Sequence, residues 1–181
     1  MKEWLKKLKS ADQYLIRHAK LEDAEAIFAI QQSVIAEEDY LITTLEEFNQ
    51  TLEEQQAWVA KILHNERETI LIAEETNKVI GFIVFQTKNR QRLNHTGSCG
   101  MMISKKHRSK GIGKLLIKAL LAWAKENPLI EKVSLGVFST NTRAISLYTC
   151  MGFIEEGRKI KEIKLSENAY KDDILMYKMV T

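Results

Sequence analysis

One stretch of the 181-residue chain decides its fold, Arg108-Ser109-Lys110-Gly111-Ile112-Gly113-Lys114. It lies between a strand-like run and the most regular amphipathic helix of the sequence, so we expect unpaired backbone N–H groups at a helix N-terminus. That end of a helix carries roughly half a positive charge, and glycine lets an anion approach the backbone closely. The glycine spacing fits neither a P-loop nor a dinucleotide fingerprint. The stretch therefore predicts a phosphate-binding loop of another kind.

Strands and helices alternate on both sides of this loop. The hydrophobic pattern predicts strands at 13–19, 69–75, 79–87, 93–104, 132–138, 153–160 and 174–180. It predicts helices at 21–36, 45–66, 110–126 and 141–151. The second of these helices is expected to begin at an N-cap, Thr44, because Glu47 completes a capping box three residues later.

The element order is therefore β-α-α-β-β-β-α-β-α-β-β, which predicts an α/β (α+β) mixed sheet flanked by helices in a single domain. The strands before and after helix 110–126 should be parallel and joined by a right-handed crossover. The start of that helix then lies at the carboxyl end of a strand, where ligands bind in such sheets. We assign residues 11–181 to the domain and 1–10 to an N-terminal extension, in which Trp4, Leu5 and Leu8 share a helical face.

Composition excludes several other classes of protein. The net charge is only +3, and the basic residues are scattered, so no nucleic-acid partner is expected. Cys99 and Cys150 lack metal-ligand spacing and the four histidines are dispersed, so we expect no metal site and two reduced, buried thiols. No apolar run has the length of a signal peptide or a membrane span, which favours a cytoplasmic protein without a membrane partner.

A second segment, residues 133–153, strengthens the reading of the loop. It places Asn141, Ala144, Tyr148 and then Gly152-Phe153 after a strand, and the loop itself has the form Arg-x-x-Gly-x-Gly. These two blocks resemble the GNAT superfamily of N-acetyltransferases, and residues 155–176 more loosely resemble its protein N-terminal and amino-acid N-acetyltransferases. The resemblance implies a GNAT-like fold and an enzyme that transfers an acetyl group from acetyl-CoA to a primary amine, without a metal.

The resemblance also implies residue roles. Tyr148 would be the general acid that protonates the leaving thiolate, and the loop N–H groups would hold the pyrophosphate of acetyl-CoA. The backbone at the end of the preceding strand would pair with the pantetheine arm. The coenzyme-binding residues so implied are Met102, Ile103, Arg108, Ser109, Lys110, Gly111, Ile112, Gly113, Lys114, Asn141 and Ala144.

The general base has no such assignment. Many relatives carry a glutamate in the strand before the loop, but residues 94–104 contain no carboxylate. His95 is the tentative base because imidazole titrates near pH ~6.5. The acidic run Glu37, Glu38 and Asp39 could instead bind the ammonium of the acceptor.

Two questions stay open at the level of the sequence. The acceptor is a small amine or amino acid, or a protein N-terminus, and pairing through edge strands in the family leaves a homodimer open. The missing carboxylate also keeps a second class of function open, a non-catalytic module that binds or senses acetyl-CoA.

Overall fold

The computed structural model describes residues 14–181. The helical face expected around Trp4 lies outside these residues. The described strands are β1 (Leu15–His18), β2 (Thr69–Glu75), β3 (Lys78–Thr87), β4 (Thr96–Ile103), β5 (Lys132–Phe138), β6 (Ile154–Ser166) and β7 (Ala169–Met179). The described α-helices are α1 (Ala24–Ile35), α2 (Leu52–Leu63), α3 (Ile112–Glu126) and α4 (Thr142–Cys150).

The strands form one mixed sheet in the order β1-β2-β3-β4-β5-β7-β6. Every neighbouring pair is antiparallel except β4 and β5, which are parallel and are connected along the chain by α3. The predicted fold class and element order are confirmed. The parallel pair is short, because only Thr96–Ser98 face Lys132–Ser134 before the two strands separate.

Two apolar clusters pack against opposite faces of the sheet. On one face, α3 buries Leu116, Leu120 and Trp123 against the alternate residues of the central strands. On the other, Ile27 of α1 and Ile62 of α2 pack against β2 and β3. A helix with one apolar stripe needs such a surface to be stable, so the sheet fixes both layers.

The predicted start of the second helix is wrong. Thr44 and Glu47 do form the reciprocal hydrogen bonds of a capping box, but they close only a turn. The helix begins at Leu52, where Thr51 and Glu54 form a second capping box. A cap alone does not propagate a helix, and Leu45 after the first box is half exposed, so no packing supports helix there.

Two further expectations differ from the structure. The last two strands are longer than predicted because β6 is exposed along almost its whole length and shows no apolar alternation to mark its end. Of the two free thiols, Cys99 is half-buried, but Cys150 is exposed. Within residues 14–181, no helix is long and apolar enough to cross a membrane.

Candidate functional site

A cleft opens where β4 and β5 separate. Beyond Ser98, β4 pairs only with β3, and beyond Ser134, β5 pairs only with β7. The hydroxyl of Ser134 donates a hydrogen bond to the carbonyl of Gly97 (2.8 Å) and closes the vertex. The cleft has a volume of about 460 Å³. Its two strand edges leave backbone groups without a strand partner, which is a surface that an extended ligand can pair with.

The loop before α3 forms one end of this cleft. Ser109 (φ +62°) and Gly111 (φ +82°) both adopt left-handed backbone, and Gly111 is the N-cap without any side-chain cap. Alternating backbone of this kind turns successive N–H groups towards one point, and the first N–H groups of α3 have no intrahelical partner. The predicted anion-binding loop is thus built from backbone, and a Cβ on Gly111 would meet no atom within 4 Å, so the space in front of it is open.

The second glycine of the loop has a different role. A Cβ on Gly113 would come within 3.0 Å of Leu147 and 3.3 Å of the methyl group of Met101. Its absence lets the first turn of α3 approach both α4 and β4. This close packing sets where the N-terminus of α3 points.

Most residues that the sequence implied for the site do meet in this cleft. Those that line it are Met102, Ile103, Arg108, Ser109, Gly111, Gly113, Lys114, Asn141, Ala144 and Tyr148. Asn141 also caps α4, because its side chain accepts a hydrogen bond from the N–H of Ala144 (3.2 Å). Lys110 is exposed and the side chain of Ile112 is buried in the core, so neither side chain lines the cleft.

Tyr148 is the buried tyrosine of the cleft. Its ring packs on Phe153, with centroids 5.8 Å apart, and the residue is 8% exposed. Among residues 14–181 its hydroxyl has no hydrogen-bond partner. Burial, together with the electrostatic effect of Cys99, raises the pKa of Tyr148 well above its ordinary value, so the hydroxyl stays protonated. Cys99 is the first residue past the paired part of β4, and burial raises the pKa of its thiol to about 12.

Arg108 makes contacts that the sequence did not indicate. Its Nη1 and Nη2 donate to the two carboxylate oxygens of Glu37 at 2.6 and 2.7 Å, and its Nε donates to the carbonyl of Ile103 at 2.9 Å. The hydrogen bond from Arg108 lowers the pKa of Glu37 below its ordinary value. The pair therefore joins the end of α1 to the end of β4, and most of the guanidinium is already engaged.

The opposite side of the cleft was largely missed from the sequence. It is lined by residues from the end of α1 and the connector after it, Val34, Glu37, Asp39, Tyr40 and Leu41, and by Gly136, Val137 and Phe138 of β5. Only Glu37 and Asp39 had been singled out. A glycine within the apolar run of β5 was the available signal, because glycine inside a strand indicates a close approach.

His95 does not line the cleft. It lies just before β4, and its carbonyl accepts from the N–H groups of Glu131 and Lys132. Cys99 is four residues further along the strand, which corresponds to about 13 Å at the rise of extended backbone. The structure therefore does not bring this tentative base to the point where the strands separate.

A family profile and two named relatives match this chain over most of its length. The profile described as the acetyltransferase (GNAT) family matches residues 35–153. The L-amino acid N-acetyltransferase AaaT of Escherichia coli (strain K12) is 24% identical over 162 residues, which cover 90% of this chain and 95% of that protein. An N-alpha-acetyltransferase of Sulfurisphaera tokodaii is 28% identical over 173 residues, covering 91% of this chain and 90% of its own length.

A solved structure agrees over the same extent. The crystal structure of a GNAT-family acetyltransferase from Streptococcus pneumoniae matches with a TM-score of 0.87 at 27% identity, covering 92% of this chain and 99% of that one. The profile match runs from the end of α1 through the loop before α3 to the end of α4, so it includes both sides of the cleft. On this ground the chain belongs to the acetyltransferase (GNAT) family, whose members are acyl-CoA-dependent N-acetyltransferases.

Proposed function

We propose that the chain moves the acetyl group of acetyl-CoA directly to a primary amine, with Tyr148 as the general acid. The observation that carries this role is the hydroxyl of Tyr148, which is protonated, without a partner among the described residues, and part of the cleft where the strands separate. Acetyl-CoA supplies an activated acetyl group, held as a thioester.

The residues of the chain fit acetyl-CoA on two observations. The open space in front of Gly111 and the left-handed backbone before α3 suit a pyrophosphate, since they present N–H groups to it. The unpaired edge of β4 from Cys99 to Ile103 suits an extended amide-bearing arm. Arg108 supports the loop through Ile103 and Glu37, and we assign it this positioning role in place of direct contact with the coenzyme.

The proton balance defines what Tyr148 does. A bond forms between the amine nitrogen and the acetyl carbon, and the carbon–sulfur bond breaks. The amine, which begins as an ammonium, gives up two protons in total. Tyr148 donates one proton to the leaving sulfur and is reprotonated by one of the two protons that the amine gives up. The other proton from the amine goes to solvent. This proposal gives His95 no role as a base, because it does not line the cleft.

The acceptor is a small amine, an amino acid or a protein N-terminus. Relatives of this chain carry names for two of these classes, an L-amino acid N-acetyltransferase and an N-alpha-acetyltransferase. The cytoplasmic location and the homodimer stay predictions from the sequence.

The test compares CoA release by wild type, Tyr148→Phe and Tyr170→Phe over a panel of amino acids, diamines and peptides with free N-termini. Tyr170 is an exposed tyrosine of β7 and serves as the matched control. We expect the kcat of Tyr148→Phe to fall by about 10²-fold, within the usual range for a general acid, while Tyr170→Phe keeps wild-type kcat. A kcat of Tyr148→Phe that equals that of wild type would contradict the assignment, and a wild type that binds acetyl-CoA but acetylates no amine would favour the sensing module.

A further inference from the structure

Asp173 is a buried carboxylate beside Gly136, a residue that lines the cleft, and the proposed reaction has not used it. It is 8% exposed and lies on β7 opposite Phe138 of β5. Its neighbours in sequence, such as Ile174, point into the core on the α3 face, so Asp173 points to the face that carries α1 and α2. That is the face from which residues 34–41 line the cleft.

The carboxylate of Asp173 extends over a glycine of the cleft wall. A Cβ built on Gly136 would come within 2.8 Å of Oδ1 and 3.3 Å of Oδ2 of Asp173. Gly136 is diagonal to Asp173 across the strand pair, within reach of a short side chain. Because Gly136 has no side chain, the carboxylate occupies the place where a side chain would stand, directly beside the cleft.

A second glycine stands across from it. Ser98 and Ser134 are paired where β4 and β5 still touch, and Gly100 and Gly136 each follow two residues later. Residues two apart on a strand share a face, so both glycines lie at the same height and towards α1 and α2. Both are exposed, and a Cβ on Gly100 would meet only Val84, at 3.9 Å. We call this gap between Gly100 and Gly136 the glycine window.

The charge of Asp173 is only weakly compensated. Within the described residues its one ion-pair partner is Lys159, whose Nζ lies 3.6 Å from Oδ2 on a side chain that is 49% exposed. Such a pair contributes little, because the lysine remains mostly solvated. A buried carboxylate with a weak partner therefore lies beside the open cleft, which is the arrangement that favours a cation.

We propose that Asp173 binds the ammonium group of the acceptor at the glycine window, and this rests on the proposed acetyl transfer to an amine. The acceptor enters from the side of α1 and α2, and the carboxylate holds its cationic nitrogen at the height where the strands separate. Asp173 is a binding and orienting group: the ammonium loses its proton to solvent before the nitrogen reacts. A primary amine that is cationic at neutral pH is the class of acceptor that this site selects.

The decisive variants are Asp173→Asn, Lys159→Met and Asp172→Asn. Asn keeps the shape of Asp173 and removes only its charge. We expect the KM for the amine to rise by about 10- to 100-fold in Asp173→Asn, as for the loss of a hydrogen bond to a charged group, with kcat and the KM for acetyl-CoA within about twofold. The carboxylate of Asp172 accepts a hydrogen bond from the N–H of Lys161. Asp172→Asn is the control variant, and its KM for the amine should equal that of wild type.

Lys159→Met distinguishes binding of the amine by Asp173 from a structural role of the ion pair between Asp173 and Lys159. If Asp173 matters only through its ion pair, this variant reproduces the rise in KM, which would overturn the inference. If Asp173 binds the amine, removing the competing lysine leaves KM unchanged or lowers it. Thermal unfolding of each variant checks that the fold is intact. If Asp173→Asn does not fold, Asp173→Ser is the second variant that removes the charge, and the same rise in KM is expected of it.

A readout without turnover completes the test. Calorimetric titration of L-leucine, putrescine and trialanine into protein saturated with CoA, which carries no acetyl group, should show binding of at least one amine to wild type and a 10- to 100-fold weaker affinity in Asp173→Asn. Equal affinity in both proteins, or no binding to either, would overturn the role of Asp173. A wild type that binds an amine in this titration but acetylates none would contradict the proposed function while leaving the binding role standing.

Discussion

The two sides of the cleft are built by different means. The proposed coenzyme side, residues 108–114 and 141–148, comes from two short segments at helix N-termini and presents mostly backbone. The proposed acceptor side is assembled from residues 34–41, Gly100 and Gly136, with Asp173 beside Gly136. These residues are far apart in the sequence and present side chains or gaps left by glycines. A shared coenzyme can be recognised by backbone that many sequences provide, whereas selection of an acceptor depends on individual side chains.

The largest expected effect is on the reactivity of Cys99, the thiol that lies between the two sides of the cleft. Cys99 has a pKa of about 12, so at neutral pH its thiolate fraction is about 10³ lower than that of an ordinary thiol near ~8.5. We expect iodoacetamide to modify the exposed Cys150 and to leave Cys99 unmodified over the same period, as read by peptide mass spectrometry. Cys150→Ser supplies the control, because the protein should then take up almost no label. Rapid modification of Cys99 would contradict this prediction and would mean that its thiol is accessible to solvent and reagent.

Loss of the loop geometry should affect the coenzyme side alone. In Gly111→Val a β-branched residue is forced to φ +82°, which costs roughly 1–2 kcal/mol and turns the N–H groups away from their common point. We expect the affinity for acetyl-CoA to fall by about 100-fold, the equivalent of two or three hydrogen bonds of ~1 kcal/mol each, in a calorimetric titration.

Gly157→Val is the matched control for that variant. A Cβ on Gly157 also meets nothing within 4 Å, but the residue has no left-handed backbone. It should bind acetyl-CoA as wild type does. Equal weakening in both variants would show that the loop conformation is not what binds the coenzyme.

The contact between Arg108 and Glu37 joins the two sides, and its removal should have a moderate effect. In Glu37→Gln only the amide oxygen can still accept a hydrogen bond from the guanidinium, and the NH2 group faces its other donor. We therefore expect a loss of about 1–2 kcal/mol in the free energy of urea unfolding at pH 7. Affinity for acetyl-CoA should change by less than about twofold if Arg108 only positions the loop, and should rise if the freed guanidinium turns to the coenzyme.

The same contact has a defined pH dependence. Because the folded-state pKa of Glu37 is lowered, its contribution to stability is complete above the ordinary carboxyl value of about 4.3 and is lost as the pH falls through the lowered folded value. The difference in unfolding free energy between wild type and Glu37→Gln should therefore shrink below pH ~4. A difference that stays constant down to acid pH would contradict a charged pair.

The smallest effect is expected at high pH. An ordinary tyrosine with a pKa near ~10 would be half ionised at that pH, but the pKa of Tyr148 lies well above this value. At saturating acceptor and acetyl-CoA, kcat should therefore change by less than about twofold between pH ~8 and ~10. A decline with an apparent pKa below ~10 would indicate either an ionised Tyr148 or a different acid.

What could be predicted from the sequence follows the same division. The loop at 108–114 and the helix after it are local patterns, so the sequence could predict the loop before α3 and the residues of 108–148 that meet in the cleft. That the loop binds phosphate stays a prediction. The parallel crossover followed from the element order. Thr44 misled because capping signals describe only one turn, and whether a helix continues depends on packing that lies elsewhere in the chain.

The acceptor side could not be read in this way. Asp173 and Gly136 are neighbours only because β7 pairs with β5. Glu37 meets Arg108 only because the C-terminal end of α1 lies beside the C-terminal end of β4. His95 was chosen for its chemistry, but the direction of β4 places it before the paired end of the strand. Contacts of this kind depend on register and strand order, which a single sequence does not reveal.

The short pairing of β4 with β5 has a consequence for the mechanics of the sheet. Three residue pairs, the hydroxyl of Ser134 and the carbonyl of His95 form the hydrogen-bonded junction between a four-stranded part, β1 to β4, and a three-stranded part, β5 to β7. A ligand that lies between the free edges of β4 and β5, as proposed for the coenzyme, and bonds to both would add hydrogen bonds across this seam. Amide protons along the seam should then exchange with solvent much more slowly once acetyl-CoA is bound. The bound coenzyme would in that case stabilise the sheet as an added strand does.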